Sequence, residues 1–320
     1  MRRARCRHVG EVHAGQNRRV TPLSGTQTLL SAHGYTADIA SVGATLRTLS
    51  FEGRDLVAPF EADQVRPSYF GAILAPWPNR IVDGHYRLDD EEFLLALNEP
   101  DRGHALHGLA AWLDFAVIES SNERVALRAR IPAQKGYPFP IDLEVEYRID
   151  ESGLTTVVTA TNDGTIPAPY GVAPHPYLIA GRGPVDEWTL DLPAFDVLET
   201  DERLTPGTLV RAEAEYDYRT PALIGSAQID NAFTDLIRDD DGRATVRLTA
   251  ADEKGVAISW GEGLDWVQIF TGDLPTPEWR RRAVAVEPMT CAPDAFNSGV
   301  GLIMLAPGAS HTAEWVISAI

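Results

Sequence analysis

Four short polar segments of this chain could carry chemistry. In Ala283-Val284-Ala285-Val286-Glu287-Pro288 an apolar run delivers a carboxylate. Apolar neighbours disfavour its charged form, so Glu287 is expected to keep its proton to a pH nearer the working range of a general base. Proline cannot donate to a ladder, so strand pairing is expected to stop at Pro288. Ala173-Pro174-His175-Pro176-Tyr177 fixes a histidine on stiff, non-helical backbone, a mounting suited to proton transfer. His104-Ala105-Leu106-His107-Gly108 offers two histidines, one of them expected to be functional. A metal reading needs further ligands, and extended backbone would turn the two rings to opposite faces, so no metal is expected. In Pro76-Trp77-Pro78-Asn79-Arg80-Ile81 the prolines enforce extended backbone, and Asn79 and Arg80 supply donors from a loop. Each segment has a plainer alternative: a rim salt bridge for Glu287 or Arg80, a turn-capping or core role for the histidines.

Other chemistries lack their signatures. There is no G-x-S-x-G elbow, and no lysine is followed by Ser or Thr as a P-loop requires. Gly261-Glu262-Gly263 lacks the third glycine of a dinucleotide fingerprint, and no cofactor is expected. A net charge of −18 opposes binding to nucleic acid or an anionic membrane. Cys6 and Cys291 make no disulfide framework, no run reaches the ~20 apolar residues of a membrane span, and no apolar stretch follows the N-terminal arginines. A cytoplasmic protein, monomer or homodimer, is the expectation.

The elements that must position these residues read as strands. Leu143 to Ile149 alternates apolar and polar residues, Val125 to Ile131 does so less strictly, and Glu151-Ser152-Gly153 leads into the Thr/Val-rich Leu154 to Thr161 as a hairpin. Phe51-Glu52-Gly53-Arg54 and Asp240-Asp241-Gly242 read as turns. Further strands are expected at Val246 to Leu248, Val256 to Trp260, Trp266 to Thr271 and Ala283 to Glu287. The spacing suggests a helical turn only around Pro221 to Gln228. Residues 1–20, arginine-rich and poor in large apolar side chains, are expected to be a disordered or mis-assigned extension, dispensable to a single β domain over 21–320.

In order along the chain stand Asn79-Arg80, Leu106-His107-Gly108, His175-Pro176-Tyr177, Asp230-Asn231-Ala232-Phe233, Val267-Gln268-Ile269-Phe270-Thr271-Gly272, Glu287-Pro288 and Pro293-Asp294-Ala295-Phe296. Their order and spacing resemble the aldose 1-epimerase (mutarotase) family from about Pro22 to the end. The resemblance implies an all-β fold, a large antiparallel β-sandwich of the galactose mutarotase-like supersandwich type, with a sugar cleft across one sheet. It implies that Glu287 takes the proton of the C1 hydroxyl and His175 protonates the ring oxygen, interconverting α and β anomers. It implies that Asn79, Arg80, His107, Tyr177, Asp230 and Gln268 hold the sugar. The chemistry agrees: ring opening removes one proton and delivers another at neighbouring oxygens, with no electron transfer and no leaving group.

Departures from the family pattern leave the sugar open. Leu109 stands where a second glycine usually follows the first histidine, and the Trp-Pro-Asn-Arg and Glu287-Pro288-Met289-Thr290 stretches look like a bacterial branch. That branch includes proteins resembling mutarotases for sulfonated or otherwise modified hexoses. Three rivals stand beside this reading. A hexose-6-phosphate 1-epimerase needs an arginine cluster. A non-catalytic carbohydrate-binding protein would have lost Glu287 or His175. A glycoside hydrolase needs a second carboxylate, Asp230 or Asp294, at the right spacing from Glu287.

Overall fold

The alternation in the sequence becomes strand faces. Along Ile141–Asp150 the odd-numbered residues from Ile141 to Ile149 are buried, while Glu144 and Arg148 face solvent. Glu151 and Ser152 turn the chain into Gly153–Asn162 with Asp150 opposite Gly153, so the expected hairpin forms. This computed structural model describes residues 21–320; the extension expected over residues 1–20 lies outside them. The hairpin belongs to a nine-stranded sheet that also contains Arg124–Ile131, Ser310–Ala319, Gly255–Trp260 and Ala244–Thr249.

A six-stranded sheet is built, in spatial order, from Tyr177–Leu178, Val284–Met289, Trp266–Phe270, Asp230–Leu236, Ala194–Thr200 and Pro206–Arg211. Neighbours in both sheets run antiparallel. One apolar core joins them: Val145, Val158, Ile258 and Trp315 from the larger sheet meet Phe233, Val267, Ile269, Val284 and Val286 from the smaller. Burying each such aliphatic side chain contributes roughly 1.5–3 kcal/mol. The opposite face of the smaller sheet is also largely covered. Ala285, Glu287 and Met289 are all buried there, which is why the strand reads as continuously apolar rather than alternating.

Two expectations fail. Ala222–Leu223 is a short strand pairing with Thr189 and Leu190 at the edge of the nine-stranded sheet, not a helical turn. Gly225 follows with φ 57°, a left-handed residue that interrupts any helical turn over this stretch; Pro221, at its start, does not oppose one. Among the described residues the α-helix is the single turn Ala295–Ser298. Nor does the ladder stop at Pro288, which stands opposite Val267, with Met289 opposite Trp266 beyond it. The amides of Val286 and Thr290 donate to Pro176 and Val172 on the other side. By the two-residue period Pro288's missing donor faces that way too, so pairing with Trp266–Phe270 needs nothing from it. No helix of the described residues is long and apolar enough to cross a membrane.

Candidate active site

The outer face of the smaller sheet floors a cleft of about 490 Å³. Its lining includes Asn79, Arg80, His107, His175, Tyr177, Asp230, Gln268 and Glu287, the eight residues to which the family resemblance gives a part in the reaction. Register brings the sheet residues together. Gln268 stands opposite Glu287, and Tyr177 opposite Ala285, two residues before Glu287 on the same face. His175 arrives on the segment just before Tyr177; its amide donates to Ala72 at 3.0 Å, and its carbonyl accepts from Gly71 at 2.8 Å.

The opposite wall is a pair of interlocked loops. The strand Arg80–Ile81 pairs with Ala105–Leu106, and the residues just outside, Asn79 and His107, both take left-handed backbone with φ of 56° and 62°. His107 N–H donates to Asn79 O at 2.8 Å, and Asn79 N–H donates to His107 Nδ1 at 3.2 Å. That second bond assigns the neutral ring's proton to Nε2.

A polar chain crosses the cleft. Asn79 Nδ2 donates to Gln268 Oε1 at 3.2 Å, and Gln268 Nε2 donates to Asp230 Oδ1 at 2.7 Å. Arg80 grips Glu99 with two bonds of 2.8 and 3.0 Å, and Arg102 adds a third at 2.9 Å. At the floor His175 Nε2 lies 3.4 Å from Glu287 Oε1, both side chains buried. Among the described residues, His175 Nδ1 and Glu287 Oε2 have no hydrogen-bond partner.

Burial governs the protonation of this pair. It drives Glu287 well above the ordinary carboxylate range, with Asp230 pushing the same way and Arg80 opposing. It lowers His175 to about 3, an effect the adjacent main chain partly opposes and Arg66 reinforces. Both shifts favour uncharged partners. His107 is likewise held well below the ordinary imidazole value by burial, by His175 and by Arg80. Burial also raises Asp230 against the pull of Arg80 and the bond from Gln268.

The ligating atoms of His107, His175 and Glu287 lie within 4.8 Å of one another, so these three could converge on a cation. The sequence reading paired His107 with His104 instead, and the structure separates those two. His104 accepts from Asp83 N at 3.2 Å and contacts Arg203 O at 3.0 Å, so main chain takes both ring nitrogens. Asp294 is likewise engaged, accepting from Val82 N at 3.0 Å and Asn297 Nδ2 at 2.7 Å, and lies outside the cleft lining. Sequence reasoning missed Glu99, Arg102 and Tyr69, which also line the cleft. Glu99 meets Arg80 from 19 positions away, a pairing with no local signal.

A model of the aldose 1-epimerase family matches residues 26–318. The uncharacterized protein YihR of Escherichia coli K12 is 36% identical over 290 residues, covering 90% of this chain and 91% of YihR. The galactose mutarotase of Bos taurus is 30% identical over 206 residues, 59% of this chain and 58% of the bovine protein. The GalM/aldose epimerase homologue from C. elegans superposes with a TM-score of 0.81 at 21% identity, covering 92% of this chain and 99% of the nematode one. A galactose 1-epimerase from Lactobacillus acidophilus superposes with a TM-score of 0.77 at 16% identity, covering 92% and 94%. At those identities the superpositions speak for the fold alone, the large antiparallel β-sandwich.

Proposed function

Because the chain belongs to the aldose 1-epimerase family, and so is an isomerase, we propose that it interconverts the α and β anomers of a free hexose or related sugar, with Glu287 and His175 as the proton-transfer pair. The observation that carries this reading is the 3.4 Å contact between two buried titratable groups at the floor of a cleft. Each keeps one polar atom without a partner among the described residues. Structural groups at such depth are ordinarily saturated.

In the reactive form Glu287 is a carboxylate and His175 an imidazolium. Glu287 removes the C1 hydroxyl proton while His175 protonates the ring oxygen; the C1–O5 bond breaks and an aldehyde forms. The pair is then neutral, the form that burial favours. Rotation about C1–C2 and reversal of both transfers closes the ring on the other face and restores the charged pair. From the neutral pair, one proton passes from Glu287 to His175 before ring opening, and the 3.4 Å contact allows that shift. His107, carrying its proton on Nε2, is read as a donor to sugar oxygen, while Asn79, Arg80, Tyr177, Asp230 and Gln268 hold hydroxyls. A sugar phosphate fits less well, because Arg80 and Arg102, both in the lining, converge on Glu99.

The test is a panel of freshly dissolved single-anomer sugars followed by polarimetry or magnetisation-exchange NMR. At least one should equilibrate faster than in buffer, and Glu287→Gln should slow that rate roughly 10²–10⁴-fold. A variant as fast as the parent would remove Glu287 from the mechanism.

A further inference from the structure

A histidine that shuttles protons is usually oriented through its second ring nitrogen by a carboxylate or a carbonyl. His175 has no such orienter on another residue: apart from its own main chain, which acts on the ring, its Nδ1 is without a hydrogen-bond partner among the described residues, and Nε2 reaches Glu287 only at 3.4 Å. What constrains the ring is aromatic packing. Tyr177 lies nearly parallel to it, with centroids 5.1 Å apart and planes at 20°. Tyr69 also lies at 20° to it, with centroids 6.2 Å apart. The Tyr69 ring meets His107 edge-on at 4.7 Å, and the two imidazoles stand at 79° with centroids 5.0 Å apart. Tyr69 is thus the one tyrosine packed on both cleft histidines among the described aromatic pairs.

Its own placement is fixed from three directions. Ser68 and Tyr69 take left-handed backbone with φ of 35° and 61°, an arrangement that surrounding contacts must enforce. The next residues bind the main chain of His175, Gly71 donating to its carbonyl and Ala72 accepting from its amide. The Tyr69 hydroxyl accepts from Asn98 Nδ2 at 3.1 Å. Asn98 also donates to Leu106 O at 2.8 Å and accepts from Leu106 N at 2.6 Å, next to His107. One side chain therefore links the loop beneath His175 to the loop that carries His107.

We propose that Tyr69 is a positioning residue for the proposed ring-opening reaction, its ring setting the orientation of His175 against His107 and its hydroxyl, through Asn98, locking the His107 loop to that arrangement. The inference rests on the acid–base reading above. Removing the ring frees the imidazole to rotate off the line between sugar and Glu287, and misplacement of a transfer group by about 1 Å can cost on the order of 100-fold.

The experiment compares Tyr69→Leu, Tyr69→Phe and Asn98→Ala with the parent, on the sugar the parent turns over best and by NMR of ring-labelled histidines. Tyr69→Leu should lower kcat about 10–100-fold with a smaller change in KM, and shift or broaden the His175 and His107 ring signals. Tyr69→Phe should restore most of the rate and the His175 signals, keeping only a defect in those of His107 that Asn98→Ala reproduces. Unchanged ring signals in folded Tyr69→Leu would overturn the inference, and so would equal losses in the Leu and Phe variants. The ring signals need no turnover, so a parent inactive on every sugar would sink the acid–base reading while the positioning of the rings is still decided.

Discussion

His104 and His107 lie three residues apart, both are buried, and their surroundings are opposites. Around His104 every polar demand is met: Asp83 N and Arg203 O take the two ring nitrogens, and Arg203 continues outward to Arg102 O and Asp83. Around His107 and its neighbour His175 the accounts stay open, with His175 Nδ1 and Glu287 Oε2 unpaired among the described residues. Buried polar groups that are fully bonded hold a fold together, whereas buried polar groups with spare capacity cost stability and are available to a ligand. The contrast supports a structural part for His104 and the proposed chemistry for the other two.

The strongest way to break this comparison is to make the same change on both sides. His175→Asn should lower kcat and kcat/KM together, roughly 10²–10⁴-fold, because a proton donor acts in the transition state. His104→Asn should leave turnover per folded molecule unchanged and lower unfolding free energy by about 1–3 kcal/mol, since it strands the Asp83 amide and the Arg203 carbonyl. Steady-state kinetics beside urea unfolding separates the two, and a kinetic collapse in His104→Asn would end the distinction. A smaller effect is expected at His107, where Asn should raise KM about tenfold and lower kcat less, as loss of a sugar-holding group does.

These assignments were unequally legible in the sequence. Both proton-transfer candidates stood out, Glu287 by its apolar strand and His175 by its flanking prolines, and the strand alternation at Ile141–Asp150 specified its faces. Pro288 misled because proline's missing donor matters only on the side it faces, and that side is set by pairing partners more than a hundred residues away. Glu99 and Tyr69 were invisible for the same reason: their meaning lies in contacts with Arg80 and His175 that no local pattern encodes. The Ala222–Leu223 strand was misread because edge pairing overrode a weak helical spacing.

The comparison can be sharpened by pH. Glu287 is raised above its ordinary 4.5, so its contribution to stability is complete below about that pH and is lost as pH climbs toward the folded value. His175 is lowered from 6.5 to about 3, so its contribution is present above 6.5 and is lost as pH falls toward 3. The parent should therefore lose stability from both sides. Glu287→Gln removes the loss on the alkaline side and should raise Tm by roughly 2–4 °C at neutral pH, with the gap closing toward pH 4. Calorimetry across that range checks it, and a variant less stable than the parent at pH 7 would contradict burial as the cause of the raised pKa. The smallest effect concerns metal: dialysis against a chelator should leave both Tm and anomerisation rate unchanged, whereas activity restored by a single divalent ion would make His107, His175 and Glu287 its ligands.

The left-handed backbone at Asn79 and His107 limits how this wall of the cleft can change. Asparagine and histidine enter that conformation more readily than most residues, while β-branched side chains there are strained. Each of the two also bonds the other's main chain, so neither loop can relax alone. Descendants of this chain exploring new substrates are accordingly steered away from this wall, since most exchanges at either position would disturb both loops before altering what the cleft prefers. Change is easier at Leu274 and Pro275, lining residues on a loop whose backbone at these positions lies outside the left-handed region, so that they can drift one at a time.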